Sequence, residues 1–119
     1  KLGNENHPLE DVQATLLHLT AYSSLEALAR HAPQTQRLIV CGGGARNAAL
    51  MNLLKSKGAE FFQRPLEVTT SDIEGIDPQL VEGLAFAWLA WAHQQKRPAN
   101  LPAVTGAKGP RILGACYPA

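Results

Sequence analysis

The chain is predicted to be an α/β protein in which short parallel strands are covered by helices, and three observations carry that prediction. Leu38, Ile39 and Val40 form a short apolar run with two β-branched residues, the mark of a strand buried on both faces. Gly42, Gly43 and Gly44 follow at once, and a helical pattern opens at Ala45. Over the whole chain the patterns alternate as helix, strand, helix, strand, helix, with right-handed connections expected between parallel strands.

At 119 residues the chain is expected to form a single α/β piece, residues 1–119, long enough for a moderate core. Hydrophobic residues at 45% and charged residues at 18% are ordinary for a globular protein and argue against disorder. A net charge of +1, with no basic stripe interleaved with aromatics, gives no reason to expect a nucleic-acid or membrane partner. Cys41 and Cys116 fall in no metal-ligand spacing and read as reduced thiols, Cys41 at a buried strand end. No metal cluster is predicted. With no signal peptide and no apolar stretch longer than 83–92, a cytoplasmic location is expected. Lys1–Asn6 lacks an initiator methionine and runs straight into a long helix, so a fragment of a larger protein is expected.

The elements follow in order. Pro8 suits the first turn of a helix, with Glu10 and Asp11 near its positive end. Leu9, Val12, Leu16, Leu19, Leu25 and Leu28 recur at spacings of three and four, with a gap at Tyr22 and Ser23, and predict one apolar stripe to about Arg30. Pro33 stops that helix, and the first strand, Leu38–Cys41, follows. The helix after the glycines carries Ala49, Leu50, Leu53 and Leu54 on one side and is expected to stop at Gly58, after Lys55 and Lys57. Phe61 and Phe62 then head an extended stretch, and Leu66–Thr70 is the second strand, which Pro65 confines to an edge or a start. After a polar loop over 71–76, Asp77 reads as an N-cap with Pro78 at the first helical position. The helix from Pro78 to about Gln95 is apolar on Val81, Leu84, Ala85, Trp88, Leu89 and Ala92, widened by Phe86 and Trp91, so it is predicted to be buried. From Lys96 the chain is rich in proline and glycine and is expected to be ordered coil.

The glycine turn is the principal candidate site. Three residues without a Cβ let the backbone turn sharply and let another molecule come close to it. A helix opening there aims free N–H groups and its positive end at the same spot, the geometry of a nucleotide site at the carboxyl edge of a parallel sheet. A turn with no ligand is the competing explanation. Two common motifs fail. The dinucleotide fingerprint needs a third glycine where Asn47 stands, and the phosphate-loop pattern needs Gly-Lys-Ser/Thr where the chain has Arg46 and Asn47. Arg46 can pair with a phosphate or stack on a base, or simply be solvated; Asn47 can cap the helix or hydrogen-bond a ligand edge.

Among the acids Glu82 is singled out, because it sits one turn into the most apolar helix, where an unpaired carboxylate is costly to bury. It either takes a partner or ligand, or is stabilised by the helix N-terminus, worth about 0.3–1 kcal/mol. Lys108, in a second glycine-containing loop, is a weaker phosphate candidate. No nucleophile has a base at a usable spacing.

Three stretches in order, CGGGARN, DPQLVEGLAFAWLA and NLPAVTGAKGPRILGACYP, with DVQATLLHLTAYS in the first helix, closely resemble the C-terminal part of the anhydro-N-acetylmuramic acid kinases. The resemblance runs over nearly the whole chain. It implies the C-terminal portion of an actin-like ATPase (ribonuclease H-like) domain, as in hexokinase and Hsp70, within a two-domain enzyme that uses ATP with Mg2+. It implies a cytoplasmic kinase of peptidoglycan recycling, which opens the 1,6-anhydro ring of anhydro-N-acetylmuramic acid with water and phosphorylates O6 to give N-acetylmuramic acid 6-phosphate. Gly42, Gly43, Gly44, Ala45, Arg46 and Asn47 resemble the family's adenosine-side loop, and Glu82 resembles its acidic residue facing the sugar. The family's phosphate loop and catalytic aspartate have no counterpart in these residues. The chain is therefore expected to need the N-terminal portion of the same enzyme and to be inactive alone, with a homodimer suggested. The alternative is a stand-alone nucleotide-binding or structural module without catalysis.

Overall fold

The computed structural model describes residues 7–117, so the opening Lys1–Asn6 lies outside the described residues. Contacts divide the chain into two compact units, one up to Pro78 and one from Gln79.

The first unit runs α1 (Leu9–His31), β1 (Arg37–Val40), α2 (Ala48–Phe62) and β2 (Glu67–Thr70), with 3-10 turns at Gly43–Arg46 and Ser71–Glu74. The α/β class is as expected. The two strands are parallel, in a register that pairs Arg37 with Glu67 and Val40 with Thr70. The core joins Ala21 and Leu25 of α1 to Leu54 of α2 and to Leu66 and Val68 at β2. Arg37 ties β1 to β2 through Glu67 (2.8 Å) and to the following turn through Glu74 (3.5 Å). The hydrogen bond and charge of Glu67 raise the Arg37 pKa. The Arg64 guanidinium donates to the carbonyls of Pro33 and Thr35 and so fixes the α1–β1 connection.

Four expectations about the first unit are corrected. β1 is not buried on both faces: Leu38 and Val40 are half-buried while Arg37 and Ile39 are exposed, because among the described residues the sheet has two strands and one covered face. Cys41 is likewise exposed. The apolar residues of α1 are not one stripe. Leu17, Ala21, Leu25 and Leu28 turn inward, whereas Leu9, Val12, Leu16 and Leu19 are exposed. At 3.6 residues per turn these sets fall on roughly opposite faces, and the gap at Tyr22 and Ser23 is where the leucine series changes side.

The fourth correction concerns Gly58, which does not end α2. It is buried inside it, where a Cβ would lie 2.8 Å from the Leu66 side chain, so its role is close approach of helix to strand. The helix carries on through Phe61 and Phe62 and ends at Gln63, whose left-handed backbone (φ 51°, ψ 28°) precedes Pro65.

The second unit consists of α3 (Val81–Gln94), the short α4 (Pro102–Thr105) and irregular chain. α3 starts three residues later than Asp77 and Pro78 suggested, and Leu80 is its cap. It is also not buried: Leu84, Phe86, Trp88 and Trp91 are all about half exposed or more, and Ala92 is the buried apolar residue. The irregular chain is held by Asn100, whose Oδ1 accepts from Arg111 N (2.6 Å) and whose Nδ2 donates to the Gly109 carbonyl (3.1 Å). The Arg97 guanidinium lies over the Trp91 ring, 5.3 Å from its centroid.

Candidate functional site

Because β1 and β2 are parallel, both chains leave the sheet at the same edge, and the glycine turn begins there. Its three glycines sit in different surroundings. Gly42 has φ 71° and ψ −163°, a backbone region that residues with a Cβ essentially avoid. In that conformation its N–H donates to the Pro78 carbonyl (2.8 Å) and its carbonyl accepts from Ala45 N (3.1 Å). Gly44 has steric company, since a Cβ there would sit 3.4 Å from the Leu50 side chain. Gly43 has neither constraint: it is exposed, and a Cβ on it would meet nothing within 4 Å.

The α-helix opens later than Ala45, because Gly43–Arg46 forms a 3-10 turn first and α2 starts at Ala48. Asn47 is its N-cap, with Oδ1 accepting from Leu50 N at 3.1 Å. Of the two uses open to Asn47, capping is therefore met by its oxygen, while its Nδ2 has no partner among the described residues. The first-turn N–H groups of α2 beside it are of the kind that favour anions. Arg46 is exposed, without a hydrogen bond or ion pair to any described residue.

Asn47 also faces α1. Two open hollows, of about 360 and 420 Å³, share Gln13, Leu17 and Asn47 in their walls. Glu10, Ala14 and Ala49 complete the first, so the outer end of the turn opens onto a polar recess between α1 and the start of α2. The contribution of Glu10 and Gln13 was not readable from the chain. Both look like ordinary solvated positions of a helix, and only the packing of α1 on α2 brings them to Asn47.

Glu82 lies in the first turn of α3, as placed from sequence, but it is exposed and makes no hydrogen bond or ion pair with a described residue. The desolvation cost that drew attention to it is thus not incurred in this chain, and its carboxylate is open to a ligand. Lys108 is exposed as well. Among the described residues no three His, Cys, Asp or Glu side chains come together as a metal site, and no helix is long and apolar enough to cross a membrane.

The residues around the glycine turn have groups that an anionic ligand such as a nucleotide could use. Gly43 leaves open space where a side chain would stand, Asn47 Nδ2 and Arg46 offer donors, and the α2 N-terminus favours negative charge. Residues 42–47 themselves include no carboxylate that could hold Mg2+.

Comparison with known proteins gives the family. The sequence pattern that defines the family described as "Anhydro-N-acetylmuramic acid kinase" matches residues 2–119. A curated anhydro-N-acetylmuramic acid kinase of Xanthomonas campestris pv. campestris (strain 8004) is 51% identical over 109 residues, 92% of this chain and 28% of that protein. One from Bordetella petrii is 51% identical over 110 residues, also 92% of this chain and 28% of the relative. One from Pseudomonas paraeruginosa is 49% identical over 117 residues, 98% of this chain and 31% of the relative. The chain thus spans about 28–31% of the length of these curated relatives.

Proposed function

The chain belongs to the anhydro-N-acetylmuramic acid kinase family, and from that premise we propose that it supplies the nucleotide side of a kinase acting on 1,6-anhydro-N-acetylmuramic acid. The reaction consumes ATP, with Mg2+, and water; it opens the anhydro bridge and leaves a phosphate on O6, giving N-acetylmuramic acid 6-phosphate for peptidoglycan recycling in the cytoplasm. In this reading residues 1–119 form part of an actin-like, ribonuclease H-like ATPase domain. The N-terminal portion of the enzyme supplies the remaining phosphate contacts and the base. The exposed leucines of α1 and the exposed aromatic residues of α3 are surfaces for that portion and for a second copy in a homodimer.

Within the chain, the backbone of Gly42–Gly44 and the start of α2 pass beside the adenosine and its phosphates. Asn47 Nδ2 and Arg46 donate to the nucleotide, and Ala45 completes the 3-10 turn that presents them. Phosphoryl transfer depends mainly on positioning and charge stabilisation, so a turn that fixes the nucleotide contributes without touching the transferred group. Glu82 faces the sugar, where its carboxylate orients the water or a sugar hydroxyl near the anhydro bridge.

The observation that carries the proposal is Gly43. Neither backbone angle nor packing within the described chain requires glycine there, which leaves close approach of another molecule as the reason. In the full-length kinase carrying this segment, Gly43→Val is expected to stay folded and to lose ATP saturation. A folded Gly43→Val enzyme with unchanged ATP affinity would reduce the glycines to a turn. Glu82→Gln is expected to lower turnover by about 10²–10⁴, the usual contribution of a positioned acid–base group, with little change in Tm. Normal turnover with lowered Tm would give Glu82 a structural role instead.

A further inference from the structure

We infer that Ser71 is a positioning residue for the nucleotide turn, acting through the carbonyls of Ile76 and Pro78. The inference rests on the nucleotide reading of the glycine turn and adds a residue outside it. Ser71 is the buried polar side chain of the described residues, 7% exposed. Its hydroxyl donates to the Ile76 carbonyl at 2.9 Å, and Ile76 N donates back to the Ser71 carbonyl at 3.2 Å. Gly75 N donates to the Asp72 carbonyl (2.9 Å), with Gly75 in the left-handed region at φ 78°. These bonds close residues 71–76 into a ring at the end of β2.

The ring matters because of where it returns the chain. Thr70, just before Ser71, is in register with Val40, and Gly42 lies two residues beyond Val40. Two residues after Ile76, the Pro78 carbonyl meets the Gly42 N–H at 2.8 Å. That contact anchors Gly42 in one backbone conformation, in a region that is open to glycine and essentially closed to residues with a Cβ, out of the many that a glycine can adopt. Ser71 closes the ring, the ring fixes the Pro78 carbonyl, and the carbonyl fixes the first residue of the turn.

The test compares Ser71→Ala and Ser71→Thr in the full-length kinase carrying this segment, with Gly43→Val as the control for the nucleotide reading. Two readouts are used: hydrogen exchange of the Gly42 amide without nucleotide, and the KM for ATP against kcat. Loss of one hydrogen bond corresponds to about a five-fold change. Ser71→Ala is therefore expected to speed Gly42 exchange and raise the ATP KM by about that factor, with a smaller effect on kcat, and Ser71→Thr to restore both. A merely structural serine would lower the amount of active enzyme, and hence the apparent kcat, while leaving KM alone. Unchanged Gly42 exchange in Ser71→Ala, or the same change persisting in Ser71→Thr, overturns the inference. So does an unchanged ATP KM in Ser71→Ala when Gly43→Val has lost ATP saturation. If Gly43→Val also leaves ATP saturation unchanged, the nucleotide reading itself is overturned, and with it the role of Ser71.

Discussion

The residues up to Pro78 and those from Gln79 use apolar side chains in opposite ways. The first unit is the less apolar by sequence, yet it encloses Ala21, Leu25, Leu54, Leu66 and Val68 around a pair of parallel strands. The second carries the most apolar helix of the chain and encloses little beyond Ala92, with Phe86 63% and Trp88 52% exposed. Apolar content measures how much surface must be covered, whereas burial depends on which elements are present to cover it. The first unit has two helices and two strands that cross in sequence order. α3 has only irregular chain and a one-turn helix within its own unit.

The largest effect that can break this comparison is a matched pair of truncations. Leu25 is fully buried, so Leu25→Ala loses both transfer free energy and packing and is expected to cost about 2–5 kcal/mol in denaturant unfolding. Trp88→Ala removes a larger side chain that is half in water and is expected to cost less than about 1 kcal/mol in this chain. Equal losses for the two would mean that α3 is covered as well as α1.

A subtler pair is the two helical glycines. At Gly58 a new Cβ would lie 2.8 Å from Leu66 Cδ2 and 3.3 Å from Leu66 Cβ, against the core. Gly58→Ala is therefore expected to destabilise by about 1–3 kcal/mol, more than its gain in helix propensity can offset. At Gly83, in the first turn of α3, a Cβ meets nothing within 4 Å. Gly83→Ala is expected to stabilise by up to about 1 kcal/mol, since only backbone entropy changes. Urea midpoints moving the same way for both variants would erase the distinction between the units.

These residues also show what a sequence can and cannot tell. The parallel α/β arrangement, the strand at Leu38–Val40, the glycine turn and the capping option at Asn47 were all readable, because each rests on local chemistry: β-branched residues, missing Cβ atoms, a short amide near a helix start. Gly58 was misread as a stop for the same reason, since a glycine after lysines is locally a good C-cap and only Leu66, eight residues on, shows its packing role. The two faces of α1 merge in the sequence because a spacing rule tolerates a step of six from Leu19 to Leu25, which in a helix turns the series to another side. The recess at Asn47 and the ring closed by Ser71 join segments far apart in sequence or linked by one hydroxyl, and no pattern in the chain signals either.

The smallest expected effect concerns charge, where the units differ again. The ion pairs described above lie before Pro78, and one more is formed within α2, where Lys57 Nζ donates to both carboxylate oxygens of Glu60 at 2.9 Å. From Gln79 onward the sequence has a single acid, Glu82, and it is exposed and unpaired with any described residue. The hydrogen bond that Lys57 donates to Glu60, with a smaller contribution from Tyr22 of α1, raises the Lys57 pKa above its ordinary 10.5. A raised pKa means that the folded chain holds this proton more tightly than the unfolded chain. The stabilisation is therefore complete below about pH 10.5 and is lost as pH rises through the higher folded value. Lys57→Met keeps the apolar stem that lies along α2 and removes only the charge. The Tm of the unaltered chain should exceed that of Lys57→Met by a small, constant margin from neutral pH to about pH 10, and the two should converge above it. Taking the difference cancels the other lysines and tyrosines that titrate in the same range. A margin that persists unchanged to pH 11.5 would show that the charge of Lys57 does not stabilise the fold, and the first unit would then differ from the second in its core and not in its charges.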